Sequence, residues 1–147
     1  VHEEIVAVTP EVEDDENEAI EVVTPATYYL KNGKHYIVYE EVVEGTSGVI
    51  KNRIKINGEE CVEIVKSGLS NSHMIFEKNK KNQTFYKTPY GQMLIGVNTR
   101  HLQVDFEEDK IAVQIDYELD VNHEPMADCK IRMNIVSKDS GKFSVLS

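Results

Sequence analysis

Strict alternation of apolar and polar side chains constrains this chain more than any other feature of its sequence. In "KIAVQIDYELDV" (110–121), polar residues separate one apolar set: Ile111, Val113, Ile115, Tyr117, Leu119 and Val121. A period of two puts that set on one face of a β-strand, against a core, and its neighbours in water. "CKIRMNIV" (129–136) repeats the pattern. No segment of comparable length keeps a helical period, so the sequence predicts an all-β fold.

Turn signals recur at the short spacing that is typical of antiparallel sandwiches and barrels. Asn32-Gly33 and Asn57-Gly58 are the strongest of them, because a tight hairpin turn needs the positive φ that Asn and Gly tolerate. Counting the stretches between turns predicts about eight to ten strands. At 147 residues the chain fits one domain, 1–147, with no linker or repeat.

The two hairpins allow a prediction of strand register. A two-residue loop at Asn32-Gly33 places Tyr29 opposite Tyr36 on the outer face. The inner face would then carry Tyr28 opposite Ile37, with Leu30 and Tyr39. For the second hairpin, a two-residue loop would place Ile54 opposite Cys61, and a three-residue loop would place Ile54 opposite Val62. The three-residue loop is preferred, because it sets an apolar residue against an apolar one.

One long stretch, "GQMLIGVNTRHLQVDFEE" (91–108), changes the parity of its apolar residues. Met93, Ile95 and Val97 are odd, whereas Leu102, Val104 and Phe106 are even. An uninterrupted strand cannot keep both sets on one face. We therefore predict a bulge between Asn98 and His101, with all six apolar side chains buried. Such a bulge favours a closed or strongly curled sheet.

Charge and cysteine content limit the partners and the compartment. The formal charge is −10, which repels a polyanion on average, so no nucleic-acid partner is predicted. No apolar run reaches the roughly 20 residues of a membrane span, and no signal-peptide core is visible. Cys61 and Cys129 lie far apart and are expected to be buried, reduced thiols of a cytoplasmic protein. The acidic stretch 11–18 is expected to be a solvated loop or a frayed hairpin.

No catalytic or cofactor motif is present. The sequence lacks a nucleophile elbow, a zinc-protease motif, a phosphate-binding loop and a dinucleotide fingerprint. Its five histidines share no metal-ligand spacing. We therefore predict no enzymatic activity, no cofactor and no metal.

Several segments together resemble one family. They are "TYYLKNGKHYIVYEE" (27–41), "VKSG" (65–68) and "YKTPYGQMLIGVNTRHL" (86–102), and the similarity extends from about residue 3 to about residue 138. The chain is similar to the YwiB-like family of uncharacterised bacterial proteins. The resemblance implies an antiparallel up-and-down barrel of the calycin-like, or lipocalin-like, type. It implies no functional residues.

Two functions compete on these observations. The first is binding of a small, partly apolar ligand inside the barrel, whose interior can hold one such molecule. The candidate lining residues are Tyr28, Tyr39, Tyr117 and Met133, which offer rings with polar tips and an adaptable thioether. The alternative is a structural or interaction protein with a fully packed interior. It would act through Tyr29, Tyr36 and Val38 on its outer face, for instance by forming a homodimer.

Overall fold

The computed structural model describes residues 3–14, 23–69, 71–88 and 90–137, and within them every regular element is a β-strand. Ten antiparallel strands follow one another along the chain, which confirms the predicted all-β class and strand number. Their bounds are β1 Glu3–Asp14, β2 Thr24–Lys31, β3 Lys34–Val42, β4 Val49–Asn57, β5 Cys61–Gly68, β6 Ser72–Glu77, β7 Lys81–Thr88, β8 Gly91–Phe106, β9 Lys110–Val121 and β10 Glu124–Ser137.

The ten strands form one sheet that is almost closed into an up-and-down barrel. Its order is β6-β5-β4-β3-β2-β1-β10-β9-β8-β7. Each neighbouring pair is thus a hairpin or the pairing of β1 with β10. The two edge strands, β6 and β7, are joined by the turn 78–80 but share no ladder of backbone pairs. A hydrogen bond from Asn82 Nδ2 to the Ile75 carbonyl oxygen, 3.3 Å long, crosses this seam. The curled sheet that the sequence predicts is therefore confirmed, with one open seam.

Alternate side chains from β1–β6 and β8–β10 fill the middle of the barrel. Its buried apolar core includes Val8, Ile37, Ile54, Ile56, Val62, Phe76, Val97, Leu102, Val104, Val113 and Ile115. Two buried polar side chains, Asn52 and Thr99, share the inward parity of this core. β-Branched residues dominate the core, because they fit the pleated surface of a strand and pack well across a sheet.

The predicted bulge in β8 is confirmed. The pairing of β8 with β9 shifts between Thr99 and His101, and Arg100 is the extra residue. Arg100 points outward and its Nη2 donates to Glu118 Oε2 over 2.9 Å. The shift lets both parity sets face inward.

Not all six of these apolar side chains are buried, and that part of the prediction is wrong. Val97, Leu102 and Val104 are buried, whereas Met93 and Ile95 are half-buried and Phe106 is 41% exposed. The exposed positions lie toward the two ends of β8, where the barrel opens and fewer strands surround each side chain.

The first hairpin has the predicted register, with Tyr28 opposite Ile37 and Tyr29 opposite Tyr36. Asn32 and Gly33 form its turn, both with positive φ. Leu30 departs from the prediction, because it is 49% exposed at the tip of the hairpin, beyond the packed core.

The second hairpin has a three-residue loop, as preferred, but the predicted pairs are wrong. Ile54 lies opposite Ile64, not Val62 or Cys61. The loop is Gly58 to Glu60, so the pairing is offset by two residues from the expected one. This register still joins apolar side chains, and it sets Lys55 beside Glu63 with a 3.9 Å ion pair.

Three further expectations can be compared with the structure. Residues 11–14 of the acidic stretch continue β1 rather than forming a loop, and 15–18 lie outside the described residues. Cys61 and Cys129 are thiols rather than a disulfide, as predicted, but both are half-buried rather than buried. No helix in the described ranges is long and apolar enough to cross a membrane.

Candidate ligand site at the barrel mouth

The four predicted lining residues lie at two depths in the described part of the barrel. Tyr39, Tyr117 and Met133 belong to the buried core, with 8%, 8% and 5% of their surfaces exposed. Tyr28 is half-buried and packs against the edge of that core. The structure therefore separates Tyr28 from the three residues in the middle of the barrel.

The two core tyrosines are held in apolar surroundings. The Tyr117 ring meets the Phe76 ring edge-on, with 4.9 Å between centroids. Burial raises the pKa of Tyr39 to about 12, and Glu41 adds to this effect. Burial also raises the pKa of Tyr117, helped by the neighbouring Cys129. Both phenols are therefore neutral hydroxyls at physiological pH.

A cavity of about 340 Å³ opens at the end of the barrel where β2 turns into β3 and β8 turns into β9. We call it the mouth cavity. Its size is at the lower end of the range typical of small-molecule sites. Apolar side chains from four strands line it, together with a polar loop. The lining residues are Val6, Tyr28, His35, Phe106, Glu107, Glu108, Asp109, Lys110, Ile111, Ile135 and Ser137.

Three rings form one wall of the mouth cavity. Tyr28 and His35 lie on adjacent strands, and the Tyr28 hydroxyl is 2.7 Å from His35 Nδ1. Their ring centroids are 5.8 Å apart, and the Phe106 centroid lies 4.9 Å from that of His35. Burial lowers the pKa of His35 from its ordinary value of 6.5. At neutral pH the imidazole is therefore uncharged, so the wall carries no positive charge.

The loop 107–109, between β8 and β9, forms the rim of the cavity and is held by main-chain bonds. Glu107 N donates to the Lys110 carbonyl oxygen over 2.8 Å, and Ser137 N donates to the Asp109 carbonyl oxygen over 2.9 Å. Among the described residues, three carboxylates and one ammonium group line this rim, and these four groups have a formal charge of −3 + 1 = −2. These two backbone bonds tie the ends of the rim to β9 and β10.

Sequence reasoning missed most of the mouth cavity. His35 follows from the hairpin register, which places it on the inner face opposite Leu30. Phe106 was predicted only as one of six buried apolar residues, and the acidic turn at 107–109 was assigned no role. A usable signal was present: an aromatic residue and three carboxylates stand side by side at a turn, on the same end of the barrel as Asn32-Gly33.

A second cavity, of about 590 Å³, lies along the seam between β6 and β7 and is more open. We call it the seam cavity. It is lined by Val65, Lys66, Ser67, Leu69, Asn71, Ser72, His73, Thr84, Phe85 and Tyr86. Among its described lining residues the one ammonium group belongs to Lys66. It is 3.1 Å from Glu41 Oε1, which also accepts from Asn52 Nδ2 over 2.6 Å. His73 is hydrogen-bonded to Glu63. The charges of the seam cavity are thus largely neutralised within the protein.

Neither cavity has the ligands of a metal site. Within the part of the chain that the structure describes, no three His, Cys, Asp or Glu side chains converge as they would around a metal ion. The mouth cavity offers hydrogen-bonding and aromatic groups instead, which suit an organic molecule.

Comparison with known proteins places the chain among β-barrels of unknown function. It is 32% identical over 114 residues to the uncharacterised β-barrel protein YwiB of Bacillus subtilis (strain 168), covering 77% of this chain and 78% of that protein. Its fold matches the crystal structure of ywiB protein from Bacillus subtilis with a TM-score of 0.74 and 25% identity, over 92% of each chain. The model of the domain of unknown function DUF1934 matches residues 5–133. The chain therefore belongs to the DUF1934 family, in agreement with the resemblance of its turn and strand motifs to YwiB-like proteins.

Proposed function

We propose that this protein binds a small, partly apolar organic molecule in the mouth cavity. The observation that carries the proposal is the wall of three rings over an apolar floor, at a cavity of about 340 Å³. Concave sites that combine apolar walls with a few polar groups are where small molecules bind. The burial of the core side chains in the middle of the barrel supports the mouth as the site.

The apolar floor supports this location. Val6 and Ile135 are buried, and Ile111 is half-buried beside them. They come from β1, β10 and β9, which are neighbours in the sheet. A ligand resting on this floor would contact the rings of Tyr28 and Phe106 and would hydrogen-bond at the rim. In this proposal the protein is a binder rather than an enzyme.

The test uses N-phenyl-1-naphthylamine, an uncharged aromatic probe whose fluorescence increases in apolar surroundings. We expect saturable binding to the wild type and a loss of at least about tenfold in affinity for Phe106→Ala, because one wall of the cavity is removed. Phe85→Ala is the matched control, since Phe85 is also an exposed phenylalanine but lines the seam cavity. Loss with Phe85→Ala and not with Phe106→Ala would move the site to the seam. No saturable binding to the wild type would refute the proposal.

Cys61 and Cys129 are thiols rather than a disulfide, which supports the further proposal that the protein works in a reducing compartment, the cytoplasm. The ligand would then be a cytoplasmic metabolite. Native mass spectrometry of protein purified from its own host tests both points, because a co-purified molecule would identify the ligand class directly.

A further inference from the structure

We infer that the ligand of the mouth cavity is an organic cation, an amine with an aromatic or aliphatic body, rather than a fatty acid or other carboxylate. This inference rests on the proposed function and adds the charge of the ligand to it. Three features of the mouth carry it together: the rings, the uncharged state of His35, and the charge of the rim.

The ring wall favours a cation. Aromatic faces carry negative electrostatic potential, and a cation within about 6 Å of a ring centroid is attracted to it. The Tyr28 and Phe106 rings flank His35, with centroid distances of 5.8 and 4.9 Å to its ring. An ammonium group bound against this wall would lie within about 6 Å of at least one of these ring centroids. Since burial keeps His35 neutral, no imidazolium opposes that cation.

The rim provides the opposite charge. Glu107, Glu108 and Asp109 outnumber Lys110 around the opening, and the whole chain has a formal charge of −10. An apolar cavity with carboxylates at its opening concentrates the field of those charges on the ligand. A carboxylate ligand would meet the same groups as like charges, which is unfavourable. The seam cavity lacks this bias, because no carboxylate lines it and Glu41 neutralises Lys66.

The experiment compares three probes with one aromatic body and three head groups: 2-naphthylmethylamine, 2-naphthylmethanol and 2-naphthoate. Their affinities are measured by isothermal titration calorimetry at neutral pH, in low salt and in about 0.5 M salt. We expect the amine to bind about tenfold tighter than the alcohol, and the carboxylate to bind weakest. This preference should shrink in high salt, because screening weakens the effect of partly exposed charges.

Matched charge variants locate the effect. Glu107→Gln with Glu108→Gln removes two rim charges and should reduce the preference for the amine to about twofold or less, with little change for the alcohol. Glu59→Gln with Glu60→Gln is the control. It removes two exposed charges at the β4–β5 turn, which lies at the same end of the barrel but does not line the cavity. The control should keep the preference.

The outcomes separate the inference from the proposed function. Equal affinity for all three probes, or tightest binding of 2-naphthoate, overturns the inference and leaves the ligand site standing. A preference that both double variants reduce equally also overturns it, since net charge alone would then be the cause. Failure of all three probes to bind overturns the inference together with the proposed function. Unchanged alcohol binding in the rim variant shows that the cavity itself has survived the substitutions.

Discussion

The middle of the barrel and its mouth are built from the same strands, yet they present opposite surfaces to the interior. On β9, Ile115 in the middle is completely buried, whereas Ile111, four residues earlier on the same inward face, is half-buried beside the mouth cavity. A side chain in the middle has packed residues both above and below it along the barrel axis, whereas one at the mouth has packed residues on one side of it along that axis. The same alternating pattern therefore produces a packed core in one place and a cavity in the other.

Because the middle is packed and the mouth is open, a ligand site can be proposed for this barrel without space in its middle. Barrels of this size are either just filled by side chains or able to hold one small molecule. Here Tyr39, Tyr117 and Met133 fill the middle, whereas Tyr28, His35 and Phe106 leave space at the end. If the proposed function is right, the two hypotheses from the sequence, a ligand site and a packed interior, apply to two levels of one barrel.

The largest expected effect compares the two isoleucines of β9. Ile115→Ala should lower the free energy of unfolding by about 2–5 kcal/mol, because it leaves a void in a close-packed core. Ile111→Ala should cost about 1 kcal/mol, because solvent can enter the space that it leaves. Urea denaturation measures both. Gln114→Ala, on the outer face, is the control and should stay within about 0.5 kcal/mol. Equal costs for the two isoleucines would abolish the distinction between middle and mouth.

The next effect follows β8 through its bulge. Single cysteines are placed at 95, 100 and 104 in a background where Cys61 and Cys129 are replaced. A thiol at 104, in place of a buried valine, should react on the order of 100-fold more slowly than one at 100, which lies exposed in the bulge. A thiol at 95 should fall between them, because Ile95 is half-buried toward the other end of the barrel. Fast labelling at 104 would mean that this half of β8 faces outward.

The sequence predicted the faces of the strands better than their depth in the barrel. Alternation alone assigned Ile115, Val104 and Tyr117 to the interior, and the parity change located the bulge at Arg100. How far a residue lies from the mouth depends on the stagger of all ten strands, which is a sum of many registers. One register, at the second hairpin, was offset by two residues. Phe106 lies on β8 and Tyr28 on β2, four strand pairings apart, so their proximity depends on several registers and was not predicted.

The seam was not predictable for a related reason. Nothing in the alternation of β6 or β7 distinguishes an edge strand from a paired one. Alternation shows which side chains face the interior, and it does so whether or not the backbone has a partner strand on both sides. The position of the seam depends on the registers of all ten strands around the barrel. β6, with six residues, is the shortest strand, and it pairs with β5 alone.

A smaller effect concerns the outer face. Tyr29 and Tyr36 stack with 4.9 Å between ring centroids and 8° between ring planes. Both rings are half-buried rather than fully exposed. A double-mutant cycle with Tyr29→Ala and Tyr36→Ala should give a coupling energy of about 0.2–1 kcal/mol, with no change in affinity for the mouth probe. If the alternative function is right, Tyr36→Glu instead changes the oligomeric state in size-exclusion chromatography with light scattering, as expected for a homodimer that uses this face.

The smallest expected effect is the pH dependence that His35 confers. Its pKa is lowered in the folded protein by burial, so the unfolded chain binds a proton at this position more readily than the folded one. Stability from this group is therefore fully present above the ordinary value of 6.5 and is lost as pH falls below it toward the folded pKa. Protonation would also place a cation against Tyr28 and Phe106, beside Glu107, Glu108, Asp109 and Lys110 of the rim. The rim carboxylates lower the free-energy cost of protonating His35 in the folded protein, so the change in stability with pH is small.

His35→Gln removes the titrating ring and should make the loss of thermal stability between pH 7.5 and pH 5.5 smaller than in the wild type, by no more than about 2 °C in Tm. His101→Gln, exposed on the outer face, is the matched control for replacing one histidine. The affinity of the wild type for 2-naphthylmethylamine should fall over the same pH range, because a protonated His35 repels the ammonium group. The His35→Gln variant should lose less of its affinity. An identical pH dependence of Tm and of affinity in all three proteins would show that the mouth does not hold His35 neutral, and the electrostatic contrast between the mouth and the middle of the barrel would then rest on the rim carboxylates alone.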